Sequence, residues 1–332
     1  MRGLVSRGIC GFLLLIATVL SGCASNGGEP SVAKPPPAAA EPVGDVVLRE
    51  RTVPIDLDLA IAVFGDGLTN GEVDDRVFPT IRKAETLLLP VTMASMIERS
   101  GSLAIVRVVH GTDVYMPLLL EGEILRADGA VLELQVTLRG ADGRLLLSRT
   151  YRDEAGASDY PVASGTDPFD DLYRAVSNDV LSALEQLDDR ERETLRRVAL
   201  IRFAADLSPV TFERFLLEDS RGKLSLSSYP ADDDPMLARL QRLRRQDELF
   251  IDTVDEQYGD LRDQVEESYA LWREYAFELQ RYGESYRASA ADRKSSARRG
   301  SYAAMQQVYA SYRKVKIQEE DLRGLVKGFG GE

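Results

Sequence analysis

Two Asp-Gly pairs set fourteen residues apart, Asp128-Gly129 and Asp142-Gly143, constrain the middle of this chain more than any other feature. Such pairs supply the positive φ of tight hairpin turns. Between them Leu132, Leu134, Val136 and Leu138 alternate with Glu133, Gln135, Thr137 and Arg139. That period of two gives a strand with one buried face. Mostly apolar runs flank it, Leu118 to Leu125 on one side and Arg144 to Tyr151 on the other, with Gly122 at an expected bulge. A further β-branched run covers Ala104 to Val109. These three or four strands read as an antiparallel meander.

Elements on either side complete the unit. Leu59 to Phe64 is a short apolar run ending at Gly65-Asp66-Gly67, as in a buried strand and turn. Thr80 to Arg99 is helical, with Leu87, Leu88, Val91, Met93, Ala94 and Ile97 on one face; Pro90 predicts a kink or restart. Ser100-Gly101 closes it. Asp167-Pro168 opens another helix, with Asp170 and Asp171 near its positive end and an apolar stripe from Phe169 to Leu184. The expected fold is α+β: a small antiparallel sheet in the order β-α-β-β-β-α, with helices packed on one face.

Beyond Asp188 only helix signals remain. Arg190 to Ala205 is one helix, Ser208-Pro209 opens a short one through Leu217, and Ser220 to Asp233 is a loop. Asp234-Pro235 starts a long helix, to about Ala288 and about 80 Å in length. Leu240, Leu243, Phe250, Val254, Tyr258, Leu261, Val265, Trp272, Tyr275, Leu279, Tyr282 and Tyr286 form its heptad-like seam. A second seam uses Tyr302, Met305, Val308 or Tyr309, Tyr312, Val315, Leu322 and Leu325, so the expected C-terminal region is all-α, a long antiparallel helical hairpin. Nine of the thirteen tyrosines lie beyond residue 220, which suits a helical seam and an interface equally. The join is basic: Arg287, Arg293, Lys294, Arg298 and Arg299 face only Asp292 nearby. These five are the candidate partner-binding residues, for an anionic partner, against the plainer alternative of a solvated turn.

The N-terminus carries a different signal. Arg2 and Arg7 precede an apolar run from Ile9 to Leu20, too short to span a bilayer comfortably, and Leu20-Ser21-Gly22-Cys23 follows. This segment resembles a bacterial lipoprotein signal with its lipobox. The resemblance implies cleavage before Cys23, acylation of that thiol and of the new amino terminus, and the lipid bilayer as a partner. Ala24 in place of Asp implies, by the same resemblance, transfer to the periplasmic face of the outer membrane. Residues 23–45 then form a tether rich in Pro and Ala, including Lys34-Pro35-Pro36-Pro37. At about 3.1 Å per residue its twenty or so residues reach up to about 60 Å. The expected organisation is a signal peptide at 1–22, this tether, an αβ domain at 46–187, short helices and a loop at 188–233, and the hairpin at 234–332.

Composition narrows the chemistry. The net charge is −13, or −15 once Arg2 and Arg7 are removed, which argues against nucleic acid as a partner. Two cysteines and one histidine exclude most zinc, iron–sulfur and Cys/His designs. No G-x-S-x-G, Walker A or H-E-x-x-H motif occurs. Asp66 to Asp75 is acidic, but Val77 stands where an EF-hand needs its twelfth-position acid. His110 sits at a strand end before Gly111-Thr112-Asp113, where a lone histidine is usually structural, and the sequence singles out no nucleophile for a triad. The carboxylate pairs Asp74-Asp75, Asp170-Asp171 and Asp232-Asp233-Asp234 occupy loops and helix starts, where acids solvate and cap. No catalytic residue, metal ligand or cofactor is assigned.

The apolar strand, the helix ending in Ser100-Gly101, Leu120-Glu121-Gly122-Glu123-Ile124 and the Asp-Gly hairpins are together similar to the ABC-type transport auxiliary lipoproteins. The curli-secretion and penicillin-binding-protein-activator lipoproteins are more distantly similar. The likeness covers about residues 55 to 186 and stops before the helical C-terminal region. It implies a non-catalytic accessory domain that binds another envelope component. The expected function is a scaffold or accessory subunit of an envelope transport, secretion or assembly complex, with an envelope protein as partner. The alternatives are a peptidoglycan-binding or peptidoglycan-modifying lipoprotein, and self-association through the tyrosine seam.

Overall fold

The computed structural model describes residues 40–68, 78–163, 166–231 and 233–294, the last without side chains at 284 and from 287 onward. Cys23, the tether before residue 40, Asp74-Asp75 and the second arm of the expected hairpin lie outside the described residues. The fold is α+β, as the sequence predicts. Its centre is a five-stranded sheet in the order β2-β1-β3-β4-β5. The strands are β1 (Ile55–Ala62), β2 (Leu103–Val109), β3 (Leu118–Ala127), β4 (Val131–Gly140) and β5 (Leu145–Glu154).

The sheet is mixed, not antiparallel. β3, β4 and β5 form the predicted meander, with Leu138 opposite both Leu120 and Leu147. β1, however, lies between β2 and β3 and runs parallel to both. Four strands follow the first helix, so the order is β-α-β-β-β-β-α. The physical reason is in β1 itself. Leu59, Ala60 and Ile61 are all fully buried, so this strand is covered on both faces and belongs at the centre of a sheet. Its apolar run without alternation is the signature of that position.

One face is covered by α1 (Pro79–Arg99) and α2 (Asp170–Glu185). Ile55, Leu57, Leu59 and Ile61 meet Leu89, Met93 and Ile97 of α1 and Leu172, Val176 and Val180 of α2 there. The fully buried Leu132, Leu134, Val136 and Leu138 of β4 join the same core. Burying these side chains, at about 25 cal/mol per Å² of apolar surface, is what holds the layers together.

α1 neither kinks into two helices nor restarts at Pro90. Proline has no N–H to donate to the carbonyl four residues back, which is that of Thr86. The Phe64 N–H, just past the end of β1, donates to the Thr86 carbonyl instead, at 3.0 Å. The carbonyl that proline orphans is therefore satisfied by the neighbouring strand. α2 begins two residues later than the Asp167-Pro168 signal predicts, with Phe169 and not Asp167 at the N-cap. Asp167 still accepts the Phe169 N–H at 2.9 Å, but its carboxylate also holds a distant arginine, described below.

α3 (Asp189–Leu207) starts with a reciprocal capping box between Asp188 and Glu191. The region after it is not all-α. α4 (Pro209–Phe212) gives way to a short 3-10 turn, then to a two-stranded antiparallel sheet of β6 (Leu216–Glu218) and β7 (Leu224–Leu226). These strands are too short for periodicity to reveal. Leu216, Leu224 and Leu226 pack against Ala141, Val198 and Ala199.

α5 (Pro235–Lys294) is one helix of 60 residues, about 90 Å long. Its inward face differs from the predicted seam. Leu240, Leu261, Val265 and Trp272 are buried, but Leu243, Phe250, Tyr282 and Tyr286 are exposed. Arg244, Tyr269, Arg273 and Ala276 are buried in their place. A strict heptad drifts around a straight helix by about 20° per repeat, so a helix docked on a globular surface leaves that seam. Polar positions then take part in the contact.

Candidate functional site

α5 meets the sheet and α1 through polar groups at two places. The first is the free edge of β2. The Val108 N–H points away from β1 and donates to Asp255 Oδ1 at 2.7 Å. Beside it Arg107, 6% exposed, donates to Asp252, with Asp58 Oδ2 at 3.9 Å from its Nη1. Burial raises the pKa of both Asp58 and Asp255, and Arg107 opposes each shift. α5 thereby supplies acceptors to an edge that would otherwise present bare backbone. On the same stretch Arg244 pairs with Asp247 and Glu248 at 3.1 Å each and lies over the Phe203 ring at 5.3 Å.

The second place is the α1–α5 interface. Ile81, Ala84 and Leu88 of α1 pack against Leu261, Val265, Tyr269, Trp272 and Ala276. Inside this apolar contact sits a buried polar network. Arg82 Nε donates to Glu85 Oε2 at 3.1 Å, and its Nη1 donates to the Asp66 carbonyl at 2.9 Å. The Tyr269 hydroxyl donates to Glu85 Oε1 at 2.9 Å. One turn on, Arg273 Nη1 donates to Asp167 Oδ1 at 2.6 Å, and the guanidinium stacks over the rings of Phe169 and Tyr269 at 4.9 and 4.5 Å. Arg82, Glu85 and Arg273 are each 3% exposed or less. Desolvation pushes the Glu85 carboxyl up to about 7, although Arg82, Arg273 and the Tyr269 hydroxyl all pull it down. Burial also raises Tyr269 and Tyr173. For Arg273 burial works the other way, but Asp167 and the surrounding tyrosines outweigh it and keep the guanidinium charged.

Beside this network a cleft of about 290 Å³ opens between α1, α5 and the segment leading into α2. Leu88, Met96 and Val265 are among its apolar walls, and Arg262, Asp170 and Arg273 among its polar ones. Three of its charged side chains are engaged, Arg262 with Ser95 at 2.7 Å, Asp170 with Arg174 at 2.9 Å and Arg273 with Asp167, while Arg99 and Glu266 line it as exposed charges. Glu85, whose pKa suits proton transfer, is not among the lining residues. The arrangement holds α5 on α1.

Further along, α5 crosses the β3–β4 hairpin. Gly129 has φ +78°, and a Cβ there would fall 2.6 Å from the Arg273 carbonyl oxygen. The Tyr160 hydroxyl donates to the Gly129 carbonyl at 2.5 Å, and the Tyr160 ring stacks on Phe277 at 4.7 Å.

The residues singled out in the sequence fall mostly elsewhere. Arg287, Arg293 and Lys294 belong to the last turns of α5, where side chains are not described; Arg298 and Arg299 lie outside the described residues. His110 is exposed, its Nδ1 3.4 Å from the Tyr258 hydroxyl. Asp170 and Asp171 both pair with Arg174. Asp234 accepts the Met236 N–H at 2.8 Å as a capping group. Among the described residues no group of three or more His, Cys, Asp or Glu is placed to hold a metal ion. Among them, too, no helix is long and apolar enough to cross a membrane. Sequence reasoning missed Arg82, Glu85, Tyr269 and Arg273. Arg82 and Glu85 read as an ordinary surface pair at i, i+3, and only an excess of apolar neighbours around α1 hinted otherwise. No protein-family model matches the chain, and no curated protein matches it.

Proposed function

We propose that this chain is an outer-membrane-anchored periplasmic lipoprotein that acts as a non-catalytic scaffold or accessory subunit of an envelope transport, secretion or assembly complex. The observation that carries this reading is the length of α5. The helix is held on the sheet edge, on α1 as far as Ala276 and on Tyr160 through Phe277, then continues to Lys294 with Tyr282 and Tyr286 exposed. With its amide turned so that nitrogen faces Asp128, Gln280 accepts from Arg126 Nη2 at 2.7 Å, near the end of the docked stretch. A helix that continues past its last contact with the αβ layers carries Tyr282 and Tyr286 beyond that contact, and Arg287, Arg293 and Lys294 belong to its last turns. The second arm, from Tyr302 to Leu325, completes a hairpin in this reading. The lipobox ending in Cys23 and the Pro/Ala tether supply the anchor.

The test is in-cell crosslinking from photoreactive residues at Tyr286 and Arg293, read by mass spectrometry. A discrete crosslink to one envelope protein is the expected result. Crosslinks confined to the chain itself or to glycan overturn the scaffold reading. The anchor is tested separately: Cys23→Ser is expected to move the chain from the membrane fraction to the soluble one, and an unchanged distribution sinks that part.

A further inference from the structure

The first turns of α5 carry a surface that the docking of the helix leaves uncovered. Leu237, Leu240 and Arg244 face inward and are buried. On the outward side Met236, Leu243 and Phe250 recur every seven residues and so run as one stripe with about 20° of drift per step. They are 43%, 41% and 69% exposed, and Leu249 beside them is 66% exposed. Arg239, Arg242 and Arg245 are also exposed, and no hydrogen bond or ion pair engages them among the described residues.

Charge in this stretch is sorted by face. Asp247 and Glu248 pair with the buried Arg244, and Asp252 pairs with Arg107. From Met236 to Phe250 the exposed charges without an ion pair among the described residues are Arg239, Arg242 and Arg245, all positive in a chain of net charge −13, while Asp247, its side chain 39% exposed beside the stripe, is held by the buried Arg244. At 100° per residue these arginines and the apolar stripe share one half of the helix circumference. Arginines flanking exposed Leu and Phe on a helix are the composition of an interfacial amphipathic surface: apolar groups enter the acyl boundary while guanidinium groups meet phosphates. A second copy of this chain would place arginines of one sign near one another, and an opposed protein would need acids at three matching positions.

We infer that the outward face of α5 from Met236 to Phe250 seats on the surface of an anionic phospholipid bilayer. The contact is made by side chains and does not depend on acylation of Cys23. It sits at the opposite end of α5 from Tyr286 and Arg293, so both ends of the helix can be engaged at once.

The test places a tryptophan at the most exposed apolar position of the contact, its C-terminal end, Phe250→Trp, in the full chain. Trp272, the only native tryptophan, is 2% exposed and about 33 Å along the helix, so it serves as an internal reference. The protein is mixed with vesicles whose acyl chains carry bromine, of either phosphatidylglycerol or phosphatidylcholine. The emission from position 250 is expected to be quenched on the phosphatidylglycerol vesicles alone. It should recover in about 1 M salt, where charges are screened beyond about 3 Å. Arg239→Glu, Arg242→Glu and Arg245→Glu together should abolish the quenching while Trp272 emission stays unchanged. No quenching on either lipid overturns the proposal. Equal quenching on both overturns it too, because proximity would then come from an anchor and not from charge. A blue shift at position 250 that grows with protein concentration without lipid assigns the face to a second copy instead. Leu249→Trp repeats the measurement if Phe250→Trp disturbs folding.

Discussion

The Tyr269 hydroxyl of α5 donates to the Glu85 carboxylate of α1 at 2.9 Å, and neither side chain has more than 9% of its surface exposed. This bond crosses the interface between the long helix and the αβ layers. It ties two residues 184 positions apart in the chain. Arg82 completes the environment of the carboxylate from the opposite side.

Glu85 makes the interface sensitive to pH. Its ordinary value of 4.5 is raised to about 7 by desolvation in the folded state. Between these values the folded chain holds a proton that the unfolded chain has released, so stability falls as pH rises from 4.5 toward 7 and levels off above. The drop attributable to this group is roughly 3 kcal/mol. Asp153, raised by burial from 3.8 to about 6, adds a decline of the same sign over a lower window. Glu85→Gln removes its share. Urea titrations at pH 5 and pH 8 should show the variant gaining on the wild type with rising pH. A constant difference between the two proteins across that range would disprove the assignment.

Trp272 reports the docking of α5 directly. It is the chain's one tryptophan, 2% exposed, and stacks on Tyr269 with ring centroids 5.7 Å apart. Leu88, 4% exposed, packs in the same cluster from α1. Leu88→Asp puts an uncompensated charge there, at a cost of several kcal/mol, on the order of 4. Trp272 emission should shift to the red and become accessible to acrylamide, while far-ultraviolet circular dichroism keeps its sheet contribution. Unchanged emission would mean that Trp272 is buried by something other than α1.

Much of this layout was legible in the chain. The Asp128-Gly129 and Asp142-Gly143 turns and the alternation through β4 need only near neighbours, and they appear where the sequence places them. The position of β1 was not legible. A continuous apolar run tells how buried a strand is, not which strands flank it or in which direction they run. β6 and β7 span three residues each, below the length at which a period can be counted. The polar network was hidden for another reason. Arg273 and Asp167 are 106 residues apart, and each has the local context of a solvated charge. Pro90 looked like an interruption because the acceptor it frees is used by Phe64, a partner that no local rule supplies.

Gly129 is required twice, by its own turn and by the helix crossing it. Its φ of +78° disfavours any side chain, and an added Cβ would lie 2.6 Å from the Arg273 oxygen and 2.8 Å from the Phe277 nitrogen. Both are backbone atoms of α5, so relief means moving the helix. Gly129→Ala is expected to cost about 3 kcal/mol. Gly259, inside α5 with nothing within 4 Å of its would-be Cβ, is the control. Gly259→Ala should stabilise by up to about 1 kcal/mol. Thermal melts of the two variants should move in opposite directions; if both fall equally, the close approach at Gly129 is not what matters.

The β2 edge gives the sharpest test of what α5 does for the sheet. Among the described residues β2 pairs only with β1, so its outer N–H groups depend on other acceptors. Asp255 accepts that of Val108 at 2.7 Å. Asp255→Ala removes the acceptor and leaves a buried amide without a partner, at a cost of about 1–2 kcal/mol. Asp255→Asn keeps an oxygen in place but loses the charge, and burial already disfavours that charge. Its cost should therefore be the smaller of the two. Hydrogen exchange at the Val108 amide separates the cases, with exchange about tenfold faster in the alanine variant and close to the wild type in the asparagine variant. Ile105, 39% exposed on the same strand, adds an apolar side chain to the uncovered edge. The alanine variant should consequently self-associate at concentrations where the wild type does not. Equal protection of Val108 in both variants would show that the strand edge is guarded by the bulk of α5 and not by the Asp255 carboxylate.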